Sequence, residues 1–263
     1  MTAELVPMPR LRSLRAVVFD TDGVITDTAR LHAAAWKQAF DSLLSARAGQ
    51  RPFDSGQDYL RYVDGRSRLD GAVAFLESRG LELPLGDPDD PPGTSSVWAV
   101  AAHKDELFTN GLRAHPVRTY QGTVRLLHAL QDAGTAVAAV SASRHATELL
   151  SRAGLLSLFD AVVDGNEARR LRLPGKPDPA LFLAAADRLS CPPDAAAVVE
   201  DALAGVEAGR QGGFALVVGV DRTGGPDSAE DLRRHGADLV VPDPGDLLVP
   251  GTGASAPLPG ARR

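Results

Sequence analysis

Short apolar runs alternate with helix-length amphipathic segments through the second half of the chain. We predict strands over 135–140, 161–163, 196–199, 215–220 and 239–241. Helical periodicity follows over 122–133, 145–153, 179–189, 202–211 and 228–235. Strands that alternate with helices form right-handed βαβ units and therefore a parallel sheet. The sequence predicts an α/β protein with a doubly wound parallel sheet.

An earlier apolar run, Ala16 to Phe19, has no polar alternation, which predicts a buried central strand of that sheet. Asp20 and Asp22 follow directly, at the end of the strand where open α/β sheets bind ligands. Two carboxylates that face one crevice are costly without a cation or a shared proton between them. The motif therefore indicates a divalent cation site, although Asp and Gly also favour a plain turn.

The stretch 30–115 separates this strand from the alternating region and shows helical patterns only. We predict helices over 28–47, 69–79 and 96–110, with Thr28 as the first N-cap and Gly111 as the stop of the third. These helices form an inserted unit, so the core comprises 1–29 and 116–243. The Pro- and Gly-rich residues 244–263 are predicted to be a disordered tail.

Composition excludes several classes of protein. The net charge of -6 over 263 residues leaves no basic footprint for nucleic acid. One cysteine, Cys191, excludes an internal disulfide framework and a multi-thiolate zinc site. No run approaches the roughly 20 apolar residues of a membrane span. We expect a cytoplasmic monomer that binds neither nucleic acid nor membrane.

Polar side chains also follow the other predicted strands. Ser141 and Ser143 come after the second strand, Lys176 lies in a Gly-Lys-Pro-Asp-Pro stretch, and Glu200 and Asp201 end a later strand. Each has a simpler explanation as a helix cap or a solvated side chain. Together they supply oxygen ligands for Mg²⁺, a fixed cation and hydroxyl donors, which phosphoryl transfer requires.

In this order the motifs resemble those of the haloacid dehalogenase superfamily: D-x-D-G-V at 20–24, Ser143, Lys176, and the Glu-Asp pair at 200–201. The segment FDTDGVITDTARLHAAAWKQAF at 19–40 is similar to the β-phosphoglucomutase-like subfamily, in which Thr, His and Trp follow the motif as Thr28, His32 and Trp36 do here. The resemblance implies a Rossmann-like core with an inserted helical cap.

The resemblance also implies residue roles. Asp20 would be the nucleophile and Asp22 the general acid and base. Mg²⁺ would be held by Asp20, Glu200, Asp201 and the backbone carbonyl of Asp22. The transferred phosphoryl group would be bound by Ser141, Ala142, Ser143 and Lys176. The sugar phosphate would contact Thr28, His32, Trp36, Gly65, Arg68, Lys104, Arg144 and His145, with Arg68 preferred to Arg66 as the cap ligand of the second phosphate.

The reaction implied is interconversion of β-glucose 1-phosphate and glucose 6-phosphate through a bisphosphorylated sugar. Arg144 and His145 replace the subfamily's usual Lys and Asn, so the sugar contact at position 145 departs from the pattern. A sugar-phosphate phosphatase of the same fold is the alternative, and a catalytically silent binding domain is a third. A catalytically silent domain is disfavoured, because no requirement of the fold places all four of Asp20, Asp22, Lys176 and Asp201 at strand ends.

Overall fold

A computed structural model of the chain describes residues 5–251. Within them the strands are β1 (Leu5–Pro7), β2 (Ala16–Asp20), β3 (Ala136–Val140), β4 (Ala161–Val163), β5 (Ala196–Glu200), β6 (Leu216–Val220), β7 (Leu239–Val241) and β8 (Leu248–Pro250). Strands β2 to β7 form one parallel sheet in the spatial order β4-β3-β2-β5-β6-β7. The predicted α/β fold with a doubly wound parallel sheet is confirmed.

The helices are α1 (Pro9–Arg12), α2 (Ala29–Leu44), α3 (Arg68–Ser78), α4 (Val97–Ala114), α5 (Gln121–Asp132), α6 (Ala146–Arg152), α7 (Gly165–Leu171), α8 (Ala180–Arg188), α9 (Leu203–Gln211) and α10 (Ser228–Arg234). One face of the sheet packs on α1, α5 and α6. The other face packs on α8, α9 and α10. With both faces covered, every residue of β2 and β5 is buried, as continuous apolar strands require.

Helices α2, α3 and α4 form the helical insertion and have an aromatic core of their own. Phe40, Phe53 and Phe75 lie with ring centroids 4.1 to 5.2 Å apart and are almost fully buried. We call residues 30–115 the cap, with the boundaries predicted from the sequence. A small cluster of Ala35, Phe108 and Leu149 joins α2 and α4 to α6 of the core. The cap therefore rests on the sheet edge that carries the predicted site.

The structure corrects three expectations. Residues 244–250 are ordered, because Leu247 is fully buried in the core and β8 pairs antiparallel with β1; residues 252–263 of the predicted tail lie outside the described range. Helix α4 continues past Gly111 to Ala114, because α2 packs closely there and Leu112 is buried. The Thr28 side chain does not cap α2.

Candidate active site

After β2 the chain adds β3 and β4 on one side of this strand and then crosses over to add β5, β6 and β7 on the other side. Such a switch point opens a crevice at the carboxyl ends of the strands. Asp20 and Asp22 lie there, in a turn that needs Gly23 at a φ of +85°. A Cβ at Gly23 would lie 1.8 Å from Asp201 Oδ2. Glycine therefore allows the β2 turn and the Asp201 carboxylate to approach each other.

Asp20 is held by two donors. Lys176 Nζ lies 2.5 Å from Asp20 Oδ1, and the backbone N–H of Asp22 donates to Asp20 Oδ2 at 2.9 Å. The same ammonium lies 2.6 Å from Glu200 Oε2, and the Lys176 side chain is fully buried. Although burial opposes its charged form, Asp20 and Glu200 raise the pKa of Lys176. Lys176 is thus a fixed cation beneath the strand ends.

One buried ammonium does not balance the carboxylates around it. Single oxygen atoms of Asp20, Glu200 and Asp201 all lie within 4.8 Å of one another. Burial, followed by repulsion from Glu200, raises the pKa of Asp20, and burial with repulsion from Asp64 and Glu200 raises that of Asp201. A divalent cation would relieve this repulsion, and carboxylate oxygens are the donors that Mg²⁺ prefers. The donor set therefore fits Mg²⁺.

The carboxylate of Asp22 is separate from this cluster and is held by three donors from two segments, the start of α2 and the residue after β3. Thr28 Oγ1 donates to Asp22 Oδ1 at 2.5 Å, and His32 Nε2 lies 3.2 Å from the same oxygen. Ser141 Oγ donates to Asp22 Oδ2 at 2.9 Å. These bonds lower the pKa of Asp22 although burial opposes the change. The arrangement keeps Asp22 ionised and fixes the direction of both its oxygens.

A polar chain continues from Asp22 into the cap. Lys104 Nζ lies 2.7 Å from His32 Nδ1, so the ammonium donates to this nitrogen and the His32 proton resides on Nε2, facing Asp22. The imidazole stacks on Phe108 with centroids 3.9 Å apart. Burial and the Lys104 charge lower the pKa of His32. Burial lowers the pKa of Lys104 to about 8.

A second polar cluster joins the cap to the core. Asp105, on α4, faces three cationic or imidazole side chains: Arg144 Nη2 at 2.5 Å, His145 Nε2 at 3.2 Å and Arg68 Nη1 at 3.4 Å. Arg68 belongs to α3 of the cap, whereas the other two follow β3 of the core. Arg68 Nε is buried and has no hydrogen-bond partner in the described part of the chain. An anionic ligand would supply that partner.

A cavity between the strand ends and the cap connects the two clusters. Most of the predicted site residues line it: Asp20, Asp22, His32, Trp36, Gly65, Arg68, Lys104, Ser141, Ala142, Ser143, Arg144, Glu200 and Asp201. The cap approaches the core closely at Gly65, where a Cβ would lie 2.8 Å from Ala202 Cβ. The strand ends and the cap thus enclose one space.

Three predicted residues do not line the cavity. Thr28 is 1% exposed and donates to Asp22, so it supports this carboxylate, and its contact with the sugar stays a prediction. Lys176 lies beneath Asp20, and His145 faces Asp105. Ser141 lines the cavity, yet its hydroxyl donates to Asp22 rather than pointing freely toward a phosphoryl group.

Sequence reasoning missed three polar residues that line the cavity, Tyr59, Asp64 and Asp105, and Arg66, the alternative to Arg68, lines it as well. A signal for Asp105 exists in α4. It lies four residues after Ala101, three before Phe108 and seven before Leu112, and those three residues are buried. Because residues at this spacing share one helical face, Asp105 interrupts an apolar stripe. The preceding Lys104 and following Glu106 make the region look like a solvated charge run instead.

None of the helices within residues 5–251 has the length and hydropathy needed to cross a bilayer.

Comparisons with known proteins agree with this geometry. The sequence profile of the haloacid dehalogenase-like hydrolases matches residues 14–213. A curated β-phosphoglucomutase from Mycobacterium bovis is 47% identical over 240 residues, covering 89% of this chain and 92% of that protein. One from Bacillus subtilis is 33% identical over 90% of this chain and 92% of its own. A crystal structure of β-phosphoglucomutase from Clostridium difficile aligns with a TM-score of 0.69 at 26% identity, covering 89% and 93% of the two chains.

Proposed function

We infer the reaction from one premise: the chain belongs to the haloacid dehalogenase-like hydrolases and, within them, to the β-phosphoglucomutase-like subfamily. We propose that it is a Mg²⁺-dependent phosphosugar mutase that interconverts β-glucose 1-phosphate and glucose 6-phosphate. The observation that supports a mutase best is the pairing of two ends in one cavity. Asp20 and Asp22 lie at one end, and Arg68, with its unpartnered buried Nε, lies with Arg144 at the other.

Asp20 is the nucleophile in this proposal. Its Oδ1 is fixed by Lys176 and its Oδ2 by the backbone N–H of Asp22, so the carboxylate has one orientation before substrate arrives. Asp20, Glu200 and Asp201 would hold Mg²⁺, which would supply positive charge to offset the carboxylates and the phosphoryl oxygens. Ser143 and Ala142, which line the cavity, bind the transferred group, and the buried Lys176 holds the Asp20 carboxylate in place.

Asp22 moves the proton. When the sugar hydroxyl attacks the aspartyl phosphate of Asp20, the ionised Asp22 takes the hydroxyl proton, the oxygen–phosphorus bond forms and the Asp20 carboxylate leaves. The bisphosphorylated sugar then turns end for end. Its other phosphoryl group returns to Asp20, and Asp22 gives the proton to the departing sugar oxygen. Contacts of Asp22 with His32 couple this step to the cap.

The distal phosphate of the sugar binds at the other end of the cavity, to Arg68 and Arg144. A guanidinium offers planar paired donors that match phosphate oxygens. Trp36 and Lys104 line the same cavity, and we assign them to the sugar ring. A phosphatase needs no such second anion site, because water replaces the sugar hydroxyl. The distal cluster is therefore the feature that separates the two reactions.

The decisive experiment incubates the protein with β-glucose 1-phosphate, Mg²⁺ and a trace of glucose 1,6-bisphosphate, and measures glucose 6-phosphate and inorganic phosphate together. We expect glucose 6-phosphate to predominate, Asp20→Asn to form no phosphoenzyme and Arg68→Ala to lose most isomerisation. Arg61→Ala, which changes an exposed cap arginine, is the matched control. Release of inorganic phosphate without glucose 6-phosphate, unaffected by Arg68→Ala, would establish the phosphatase instead.

A further inference from the structure

The distal end of the cavity contains an acid where an anion is expected to bind. Asp105 lies among Arg68, Arg144 and His145 and is only 18% exposed. Its position on α4 makes it part of the cap, and its shortest contact, to Arg144 Nη2 at 2.5 Å, is made to the core. The carboxylate thus bridges the two domains through the same guanidinium groups that the proposed function assigns to the sugar's second phosphate.

The contacts of Asp105 resemble those of a bound anion. Three donors converge on its two oxygens, Oδ2 with Arg144 and Oδ1 with Arg68 and His145. Charge-assisted hydrogen bonds of this kind are stronger than neutral ones, and the partial burial of the cluster limits screening by solvent. A phosphate that binds both arginines must therefore compete with the Asp105 carboxylate.

We propose that Asp105 is an internal counter-ion of the distal phosphate site, displaced by the phosphate group of the substrate. This inference rests on the proposed function and adds a specificity-determining residue to it. A phosphate dianion carries more charge than the carboxylate, but much of its attraction is offset by the bonds it replaces. Free inorganic anions consequently bind weakly, whereas a sugar phosphate gains further contacts with the cap and the strand ends.

The opposite role is a positioning one, in which Asp105 orients the two arginines and so strengthens anion binding. The two roles predict changes of opposite sign when the charge is removed. Asp105→Asn keeps the size of the side chain and a hydrogen-bonding oxygen. Glu106→Gln is the matched control, because Glu106 is the adjacent, exposed carboxylate of the same helix and its substitution changes the net charge equally.

The first measurement is the affinity of inorganic sulfate for the full chain by isothermal titration calorimetry, with Mg²⁺ and beryllofluoride present. Beryllofluoride mimics the phosphoryl group on an aspartate, so it occupies the proximal position and leaves the distal one for sulfate. We expect sulfate to bind about tenfold more tightly to Asp105→Asn than to the parent, which is a difference of about 1.4 kcal/mol in binding free energy. Glu106→Gln should change the affinity little.

The second measurement separates KM from kcat for β-glucose 1-phosphate. Tighter distal binding should lower KM in Asp105→Asn and also lower kcat, because the bisphosphorylated sugar must release the distal site before it turns. Asp105→Glu, which restores the charge, should move both constants back toward the parent values.

Weaker sulfate binding in Asp105→Asn than in the parent, or equal effects of Asp105→Asn and Glu106→Gln, would overturn the proposal. Failure of the proposed function has a different signature. Fluorine NMR would then show no beryllofluoride on Asp20, or the parent would form no glucose 6-phosphate, whatever residue 105 is.

Discussion

Lys176 Nζ contacts Asp20 Oδ1 at 2.5 Å across 156 residues of chain, and the side chain that makes this contact is fully buried. The pair ties the loop before α8 to the end of β2. Glu200, at the end of β5, contacts the same Lys176 ammonium. A buried cation that serves two carboxylates is sensitive to the loss of any member, because the remaining charges cannot be solvated.

Lys176→Met should therefore destabilise the protein strongly. In the absence of Mg²⁺ we expect a loss of about 3–5 kcal/mol in the free energy of unfolding, because two buried carboxylates lose their partner. Urea denaturation at neutral pH measures it. Lys37→Met is the matched control: Lys37 makes an i,i+4 pair with Asp41 at the surface, which contributes about 0–1 kcal/mol. A similar loss in both variants would contradict the assigned role of Lys176.

Mg²⁺ should raise the melting temperature of the parent protein. The cation offsets repulsion among buried carboxylates and binds only the folded cluster, so stability rises with its free concentration. In Asp201→Asn this increase should be largely lost, whereas Asp132→Asn, an exposed carboxylate at the end of α5, should keep it. Thermal unfolding with and without EDTA tests both. An undiminished Mg²⁺ effect in Asp201→Asn would remove this residue from the metal site.

Lys104 should make stability depend on alkaline pH. Burial lowers the pKa of Lys104 from 10.5 to about 8. The charges of Asp105 and Asp22 oppose this change, and the charge of Arg68 adds to it. His32 accepts a hydrogen bond from the Lys104 ammonium. Below pH 8 both the folded and unfolded states carry the charge. Between about pH 8 and 10.5 the unfolded state binds more protons, so the free energy of unfolding rises with pH.

Relative to Lys104→Met, the parent should gain roughly 3 kcal/mol across that interval, since one pKa unit corresponds to about 1.4 kcal/mol. Urea titrations at pH 7.5 and 10 measure the difference. If the two proteins respond identically to pH, Lys104 keeps its ordinary pKa when folded. The proton lost from Lys104 should also weaken binding of the sugar phosphate, so KM should rise above pH 8 in the parent.

Leu247→Ala tests the ordered segment near the C-terminus. Leu247 is fully buried against the core, and β8 after it pairs with β1. Removing its side chain should cost about 2–5 kcal/mol in the free energy of unfolding, through lost burial and the cavity that remains. Leu85→Ala, at a position that is 57% exposed, should cost little in the same denaturation experiment. Equal stabilities would mean that the segment contributes nothing to the core.

The local sequence pattern predicted the parallel sheet and the position of the site. Continuous apolar runs predicted β2, β3, β5 and β6 because parallel strands buried on both faces need apolar side chains throughout. Polar residues after those strands predicted the crevice, because parallel strands end at one edge. Asp20, Asp22, Lys176 and Asp201 thus came from sequence reasoning, and their roles rest on the family resemblance.

The tertiary structure alone decided which polar groups form hydrogen bonds and ion pairs with one another. Ser141 and Asp22 are 119 residues apart, and nothing in either segment indicates that the serine hydroxyl donates to that carboxylate. Thr28 has the residue type of a helix cap, yet Asp22 accepts its hydrogen bond instead. Asp105 sits in a charge run whose solvated and buried members cannot be told apart until α4 packs against Arg144.

The physical reason is the range of the interactions. Strand and helix preferences act over a few residues, so each segment of this sequence carries them by itself. A charge pair such as Asp105 with Arg144, or the packing of Leu247 against the core, depends on where distant segments meet and how much water they exclude. The sequence determined the strands of the parallel sheet and the residue types at their ends; the folded chain decided the partner, burial and charge balance of each of those residues.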